Sequence, residues 1–173
     1  MDALFVLQFA CCIITTMLMT MLACSGFIAR WRRSRYELSR WLLCVAMFLL
    51  TTHFILQMKH GLRASGDDVG AMFNILFYTP VMFLCTCSSV YMGCSRSLFR
   101  RYLRIGLTGC VLTTLLFFLG WLSFGRIDED GVRYVMHSLF LFYMGYYIYY
   151  PIRSIRRNIK RMINDTGGDI SIY

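Results

Sequence analysis

The sequence predicts an all-α integral membrane protein: a five-helix transmembrane bundle with its N-terminus outside the cell and its C-terminus in the cytoplasm. Composition is the first observation, because 58% of the 173 residues are hydrophobic and only 16% are charged, whereas about a quarter of residues are charged in soluble domains. The second is a series of apolar segments, each close to the roughly 20 residues that cross a bilayer core. They cover residues 4–29, 41–58, 69–93, 105–125 and 134–152.

The distribution of basic residues is the third observation. Fourteen of the 18 Lys and Arg residues lie in the gaps after the first and third segments and after the fifth, and the other four lie in the remaining two gaps. Cytoplasmic loops carry such an excess. This alternation predicts the orientation, and it divides the chain into a membrane bundle at 1–152 and a cytoplasmic segment at 153–173.

The first segment is predicted to be a retained span. Asp2 is the only charged residue before it, so the segment lacks the basic region of a secretory signal, and it exceeds the usual length of such a signal's apolar core. Residues 21–24 (MLAC) resemble a lipoprotein cleavage site, but we expect no cleavage without that basic region. Trp41 begins the second segment, and Trp31 and Trp41 bracket the first basic gap as interfacial aromatic residues do.

The other spans carry local features of their own. Pro80 lies near the middle of the third segment, where it removes a backbone hydrogen bond, and it is a candidate hinge. Gly106 and Gly109 of the fourth segment allow close helix approach. The fifth ends in tyrosines, which are typical of a membrane interface: Tyr146, Tyr147, Tyr149 and Tyr150.

A basic amphipathic helix is predicted to continue the fifth span into the cytoplasm. Its apolar residues recur at helical spacing: Ile152, Ile155, Ile159, Met162 and Ile163. Its basic residues occupy the other sides: Arg153, Arg156, Arg157, Lys160 and Arg161. We expect them to contact the anionic inner leaflet, a cytoplasmic output domain or a partner protein. The helix should stop at the turn 164–169, and the apolar end at 170–173 suggests the front part of a longer architecture.

Uncharged polar residues form the candidate ligand pocket. No Asp, Glu, Lys or Arg lies in the five segments, which disfavours ion-coupled transport. The predicted topology places five polar residues in the outer third of the bilayer: Gln8, His53, Gln57, Asn74 and His137. Two alternatives remain open, because these residues also suit internal hydrogen bonding within a bundle, and His53 and His137 suit axial ligation of a haem.

Catalysis and metal binding are not predicted. The eight cysteines lie in or at the ends of the apolar segments, and Cys85 and Cys87 project about 200° apart on a helix. No serine or cysteine has a recognisable base and orienting acid. We therefore expect no enzyme, no metal and no cofactor. Since topology accounts for the basic residues, we also expect no direct binding of nucleic acid, while a homo-oligomer is compatible with the pattern.

Four stretches resemble the N-terminal multi-pass membrane module of bacterial membrane-bound regulators of the helix-turn-helix or histidine kinase type. They are residues 39–43 (SRWLL), 57–63 (QMKHGLR), 74–80 (NILFYTP) and 151–157 (PIRSIRR). The resemblance implies a sensory or anchoring role in the bacterial inner membrane, with signal transduction to a cytoplasmic output and no catalytic residues. This chain contains neither a kinase nor a DNA-binding segment. The alternative hypotheses are an accessory protein that binds a partner through its helix faces, and a haem or quinone redox carrier.

Overall fold

The protein folds into five α-helices, as seen in a computed structural model that describes residues 3–25, 33–60, 68–93, 96–124 and 130–165. The helices are α1 (Ala3–Cys24), α2 (Arg33–His60), α3 (Asp68–Gly93), α4 (Arg96–Phe124) and α5 (Asp130–Asp165). The predicted all-α architecture is therefore confirmed for these ranges.

Four of the helices can cross a membrane, judged by length and composition. Their spanning segments are Ala3–Cys24, Tyr36–His60, Val69–Tyr91 and Phe99–Ser123. By the same measure α5 is not apolar enough, because six tyrosines and the basic last turns lower its mean hydropathy. These findings are consistent with a multi-pass membrane protein.

The helices extend beyond the apolar segments of the sequence. α2 begins at Arg33 and α4 begins at Arg96, and each runs through basic residues before it reaches its apolar part. Arg and Lys are good helix formers, so a change in polarity need not end a helix. The expected end of the first span at Ala29 and the expected turn at 164–169 lie wholly or partly outside the described residues.

The central element of the bundle is α3. It packs against α2 on one side and against α4 and α5 on the other, while α1 packs chiefly against α2. Two apolar clusters fill the space between α3, α4 and α5. One contains Phe83, Cys87, Val90, Tyr102, Tyr143 and Tyr147, and the other contains Met72, Ile75, Phe117 and Met136.

Two glycines of α4 allow this packing. A Cβ atom added to Gly106 would overlap the ring of Phe83, and one added to Gly109 would lie 2.6 Å from the Tyr143 ring. Any larger residue would push α4 away from its neighbours. The close approach predicted for these glycines is confirmed.

Tyrosine side chains connect α5 to the core. The Tyr147 hydroxyl donates a hydrogen bond of 3.1 Å to the Gly106 carbonyl, and the Tyr102 hydroxyl is hydrogen-bonded to Thr86. The Tyr102 and Tyr146 rings stack with centroids 5.4 Å apart. The sequence suggested an interfacial role for the α5 tyrosines, but the structure buries Tyr147 completely. Its hydroxyl therefore depends on a partner inside the protein.

The candidate hinge lies within an uninterrupted helix. α3 continues through Pro80 from Asp68 to Gly93. The residue before the proline, Thr79, donates a side-chain hydrogen bond of 2.8 Å to the Ile75 carbonyl, as hydroxyl residues commonly do in membrane helices. A hinge at Pro80 stays a prediction.

Candidate functional site

Four of the five candidate pocket residues form one hydrogen-bonded network, called here the polar network. It joins Gln8 of α1, His53 and Gln57 of α2, and Asn74 of α3. Gln8 Nε2 donates to Gln57 Oε1 over 3.4 Å, and Gln57 Nε2 donates to Asn74 Oδ1. The same oxygen lies 2.9 Å from His53 Nε2. The network therefore links three helices.

The bond to Asn74 fixes the tautomer of His53. Asn74 Oδ1 is a carbonyl oxygen, so it only accepts hydrogen bonds, and it has lone pairs for two donors. The bond with His53 therefore requires a proton on Nε2. One acceptor on α3 thus receives two donors from α2.

Helix geometry explains why the α2 residues meet this acceptor. His53 and Gln57 are four residues apart, so they share one face of α2. Gln57 bonds to Gln8 with its oxygen and to Asn74 with its nitrogen. It therefore lies where α1, α2 and α3 meet.

Three of the four residues of the polar network are buried. The exposed fractions of His53, Gln57 and Gln8 are 0%, 1% and 5%, and Asn74 is half-buried. Burial of an amide or imidazole is costly unless it is hydrogen-bonded, and these contacts supply the bonds. They agree with the alternative in which the polar residues bond to one another, while a ligand pocket stays a prediction.

Aromatic side chains of α3 surround His53. The Phe73 ring is nearly parallel to the imidazole at a centroid distance of 5.6 Å, and the rings of Phe77 and Tyr78 lie at 5.3 and 4.9 Å. This surround was not predicted, although the spacing of Phe73, Asn74 and Phe77 already places them on adjoining parts of one helix face.

His137 is not a member of the polar network. Its Nδ1 atom lies 2.8 Å from the Arg133 carbonyl, one turn earlier in α5, so Nδ1 donates within its own helix. The described bonds of His53 and His137 thus go to different helices. Within the five described ranges, no group of three or more His, Cys, Asp or Glu residues could hold a metal ion.

Polar contacts continue along the interface between α1 and α2. The Thr51 hydroxyl donates to the Thr15 hydroxyl over 2.9 Å, and the Cys44 thiol lies 3.8 Å from the Met19 carbonyl. Of the α1 side chains described, the buried ones are Gln8 and Thr15. Both are hydrogen-bonded to α2, Gln8 to Gln57 and Thr15 to Thr51. Polar contacts therefore contribute much of what holds α1 in place.

Arg40 completes this interface at the end of α1. Its Nη1 atom donates to the carbonyls of Ala23 and Leu22 over 2.8 and 3.1 Å, and the side chain is only 9% exposed. Basic groups are favourable at a helix C-terminus, where carbonyls lack intrahelical partners. The sequence assigned Arg40 to the basic gap that sets topology, and nothing in its spacing indicated the cap.

The basic residues near the end of α5 form an exposed surface. Arg153, Arg156, Arg157 and Lys160 are all exposed, and Arg153 Nη1 donates to the Tyr149 hydroxyl over 3.2 Å. With Tyr149 and Ile152 they line a shallow groove of about 400 Å³. The Arg161 side chain lies outside what the structure describes.

The polar network, the tyrosine contacts and the basic end of α5 lie on a bundle in which α3 touches every element except α1 closely. Comparison of the chain with protein-family models, curated proteins and solved structures finds no match.

Proposed function

We propose that this chain is a non-enzymatic membrane module with five spans, which senses a signal in or at the membrane and transmits it through α5 to a cytoplasmic output. The observation that carries the proposal is the continuity of α5, a single helix of 36 residues, or about 54 Å at 1.5 Å per residue. Its first part packs in the bundle, and its last turns carry the exposed basic residues.

Packing supports α5 as the fifth span. Met136, Tyr143 and Tyr147 of α5 lie in the clusters shared with α3 and α4, so α5 runs beside two helices that are apolar enough to cross a membrane. Two of the tyrosine hydroxyls that lower its hydropathy have partners in α4, namely the Gly106 carbonyl for Tyr147 and the Thr108 hydroxyl for Tyr143. An odd number of spans puts the termini on opposite sides, with the C-terminal basic segment in the cytoplasm.

A physical route connects the polar network to α5. Asn74 of the polar network belongs to the same helix, α3, as Phe83 of the apolar cluster that contains Tyr143 and Tyr147. The Phe83 ring lies 5.9 Å from the Tyr147 ring of α5. A signal that rearranges the bonds of Asn74 moves α3 relative to α2, and the packed rings pass that movement on. Such a signal must bind the two arrangements with different affinity.

The proposed surroundings follow from the topology and the sequence. The module lies in the cell membrane, in the bacterial inner membrane by the resemblance noted above, and its basic end faces anionic lipid. Its output is a cytoplasmic domain or a partner protein that receives the end of α5.

Site-specific ¹⁹F NMR tests the proposed coupling. Trifluoromethylphenylalanine replaces Tyr150 of α5, and the full chain is placed in nanodiscs. Gln57→Leu removes the link between α2 and α3, so we expect it to shift the ¹⁹F resonance. The matched control is Thr52→Val, because the Thr52 hydroxyl bonds to the Phe48 carbonyl of its own helix. An unchanged resonance in Gln57→Leu would overturn the coupling.

A second function, that of an accessory protein, is favoured by α1. This helix exposes apolar side chains on several sides, among them Leu7, Ile14, Met17 and Met21, and a partner's membrane helix fits such a surface. An intact stoichiometric complex with a partner after Gln57→Leu and His53→Leu would favour this function over sensing.

A further inference from the structure

The side-chain amide of Asn74 uses only one of its two ends inside the protein. Its Oδ1 atom accepts hydrogen bonds from His53 and Gln57 of α2. Its Nδ2 atom carries two N–H donors, and within the described ranges neither donor has a partner. Because the two bonds hold Oδ1 towards α2, the Nδ2 end of the amide is turned away from that helix.

Tyr78 supplies a second donor one turn further along α3. Its ring centroid lies 4.9 Å from that of His53, and His53 Nε2 lies 2.9 Å from Asn74 Oδ1. The phenol and the amide therefore adjoin the same imidazole. Side chains on a helix lean towards its N-terminus, which brings the Tyr78 ring back towards the level of Asn74. In the described part of the chain, the Tyr78 hydroxyl has no hydrogen-bond partner.

Both donors reach the surface of the bundle. Asn74 and Tyr78 are half-buried. Neither Asn74 Nδ2 nor the Tyr78 oxygen is one of the atoms that the described chain encloses without a partner. The two groups are therefore accessible to a molecule that lies beside α3.

The donors lie within the apolar part of a membrane-spanning helix. Val69–Tyr91 is long and apolar enough to cross a bilayer, and Asn74 lies about 7.5 Å inside that segment at 1.5 Å per residue. This depth does not depend on which end of α3 faces the cytoplasm. Unpaired N–H groups are costly in hydrocarbon, where water does not take up their bonds. An acceptor from outside the chain removes that cost.

The chemistry of the site favours an uncharged oxygen acceptor on an apolar molecule. No Lys or Arg lies in the five apolar segments, and an anion without a partner is expensive at this depth. The rings of Phe73 and Phe77 lie beside the same imidazole, and apolar walls with a few polar groups are typical of sites for small molecules. A carbonyl group on a membrane-soluble molecule meets both requirements.

We propose that α3 binds the carbonyl oxygen of a membrane-soluble molecule, with Asn74 Nδ2 and the Tyr78 hydroxyl as its donors. Two sources share this chemistry, namely the ester groups of phospholipids and the ring carbonyls of quinones. The inference deepens the proposed function and rests on it for the role of the bound molecule as the signal. A carbonyl bound at Nδ2 acts on the same amide that accepts the bonds of His53 and Gln57.

Side-chain amide NMR of the full chain in nanodiscs tests the site. Asparagine is labelled with ¹⁵N, and the Asn74 signal is the one lost in Asn74→Gln, with Asn158 and Asn164 of α5 as internal references. Three membranes are compared: ether-linked phosphatidylcholine, which has no carbonyl, ester-linked phosphatidylcholine, and the ether-linked lipid with decylubiquinone.

We expect the Asn74 amide protons to shift downfield in at least one of the two membranes that contain a carbonyl. A shift in the ester-linked lipid identifies a phospholipid as the ligand, and a shift in the ether-linked lipid with decylubiquinone identifies a quinone. The same Asn74 signal in all three membranes would overturn the proposal, because Nδ2 would then meet no carbonyl.

Removal of the phenol hydroxyl provides a second test. Tyr78→Phe keeps the ring beside His53, and we expect it to reduce the Asn74 shift by half or more. The matched control is Tyr91→Phe, because Tyr91 is a half-buried tyrosine of the same helix, about 20 Å away along its axis. It should leave the shift unchanged. Equal shifts in the two variants would overturn the joint site.

The ¹⁹F resonance of a trifluoromethylphenylalanine at position 150 is recorded in the same three membranes. A shift at Asn74 that is accompanied by a ¹⁹F change supports both proposals. A shift at Asn74 with an unchanged ¹⁹F resonance supports the carbonyl site but overturns the proposed coupling to α5. Failure of the site and failure of the proposed function are thereby distinguishable.

Discussion

Gln57 of α2 donates a hydrogen bond from Nε2 to Oδ1 of Asn74 on α3. The other end of the same amide accepts a bond from Gln8 of α1. A single side chain thus holds the peripheral helix and the central helix of the bundle at one level. The stability of this region and its movements should depend on that amide.

Gln57→Leu should lower the free energy of unfolding by about 1–3 kcal/mol, because it leaves the buried Gln8 amide without the acceptor it has in the native protein. Leu has a similar volume, so packing changes little. Unfolding of the variant in bicelles measures the loss. Thr52→Val is the control, since the Thr52 hydroxyl bonds within α2, and it should change stability by less than about 0.5 kcal/mol. A comparable loss in both variants would speak against a special role for the polar network.

His53→Ala should be more destabilising than His53→Phe. The alanine variant removes both the Asn74 bond and the ring contacts with Phe73 and Phe77, and loss of a large buried ring costs about 3–5 kcal/mol. The phenylalanine variant keeps the ring contacts and loses only the bond. The comparison uses the same bicelle unfolding assay. Equal losses would mean that packing of the ring contributes little.

The tautomer of His53 is testable in its own right. The bond to Asn74 requires a proton on Nε2. In ¹⁵N NMR of the histidine-labelled protein, His53 should show a protonated Nε2, and Asn74→Leu should change its nitrogen shifts. His137 serves as the internal reference, because its Nδ1 donates to the Arg133 carbonyl. A His53 resonance with the proton on Nδ1 alone would contradict the described bond.

Gly106→Ala should destabilise the fold by about 1–3 kcal/mol, because overpacking forces Phe83 and the neighbouring helices apart. Gly145→Ala is a matched control with open space around the added methyl group. It should be neutral or stabilising by up to about 1 kcal/mol, since alanine favours helix more than glycine. Unfolding in dilute detergent compares the two. A larger loss for Gly145→Ala would invert the expected order.

Arg40→Gln should loosen the last turn of α1. The variant shortens the side chain and removes the charge that caps the carbonyls of Leu22 and Ala23. Hydrogen–deuterium exchange of peptides that end near Cys24 should become faster. Arg104→Gln replaces an exposed arginine of α4 and should leave that exchange unchanged. Unaltered exchange in Arg40→Gln would show that the cap contributes little to the helix end.

Depth along the helices could be predicted from the sequence, but direction around them could not. The alternation of basic gaps grouped Gln8, His53, Gln57 and Asn74 at one level, and the structure joins all four. His137 was placed at the same level, yet it bonds within α5. The depth of a residue along its helix does not determine the direction in which its side chain points around the helix axis. That direction depends on packing between segments that are distant in sequence.

Polarity was also an incomplete guide to environment. Tyr147 was assigned to the membrane interface and Arg40 to a cytoplasmic gap, but both are buried and hydrogen-bonded to backbone carbonyls. Their partners are the backbone carbonyls of Gly106 and Ala23, which lie on other helices. Every residue type has a backbone carbonyl, so the sequence does not indicate which one will accept a hydrogen bond. By contrast, Gly106 and Gly109 could be recognised in advance, because close helix approach selects for small residues directly.

The attachment of α1 by amides and hydroxyls has a consequence for biogenesis. α1 is synthesised before Gln57 and Thr51 of α2, so when α1 inserts ahead of α2, Gln8 and Thr15 enter the membrane without these partners. Uncharged groups can do this at modest cost, whereas a charge at the same depth would be expensive. Residues of this kind let a bundle be assembled in the order of translation, with the bond between Gln8 and Gln57 closing when the second helix arrives.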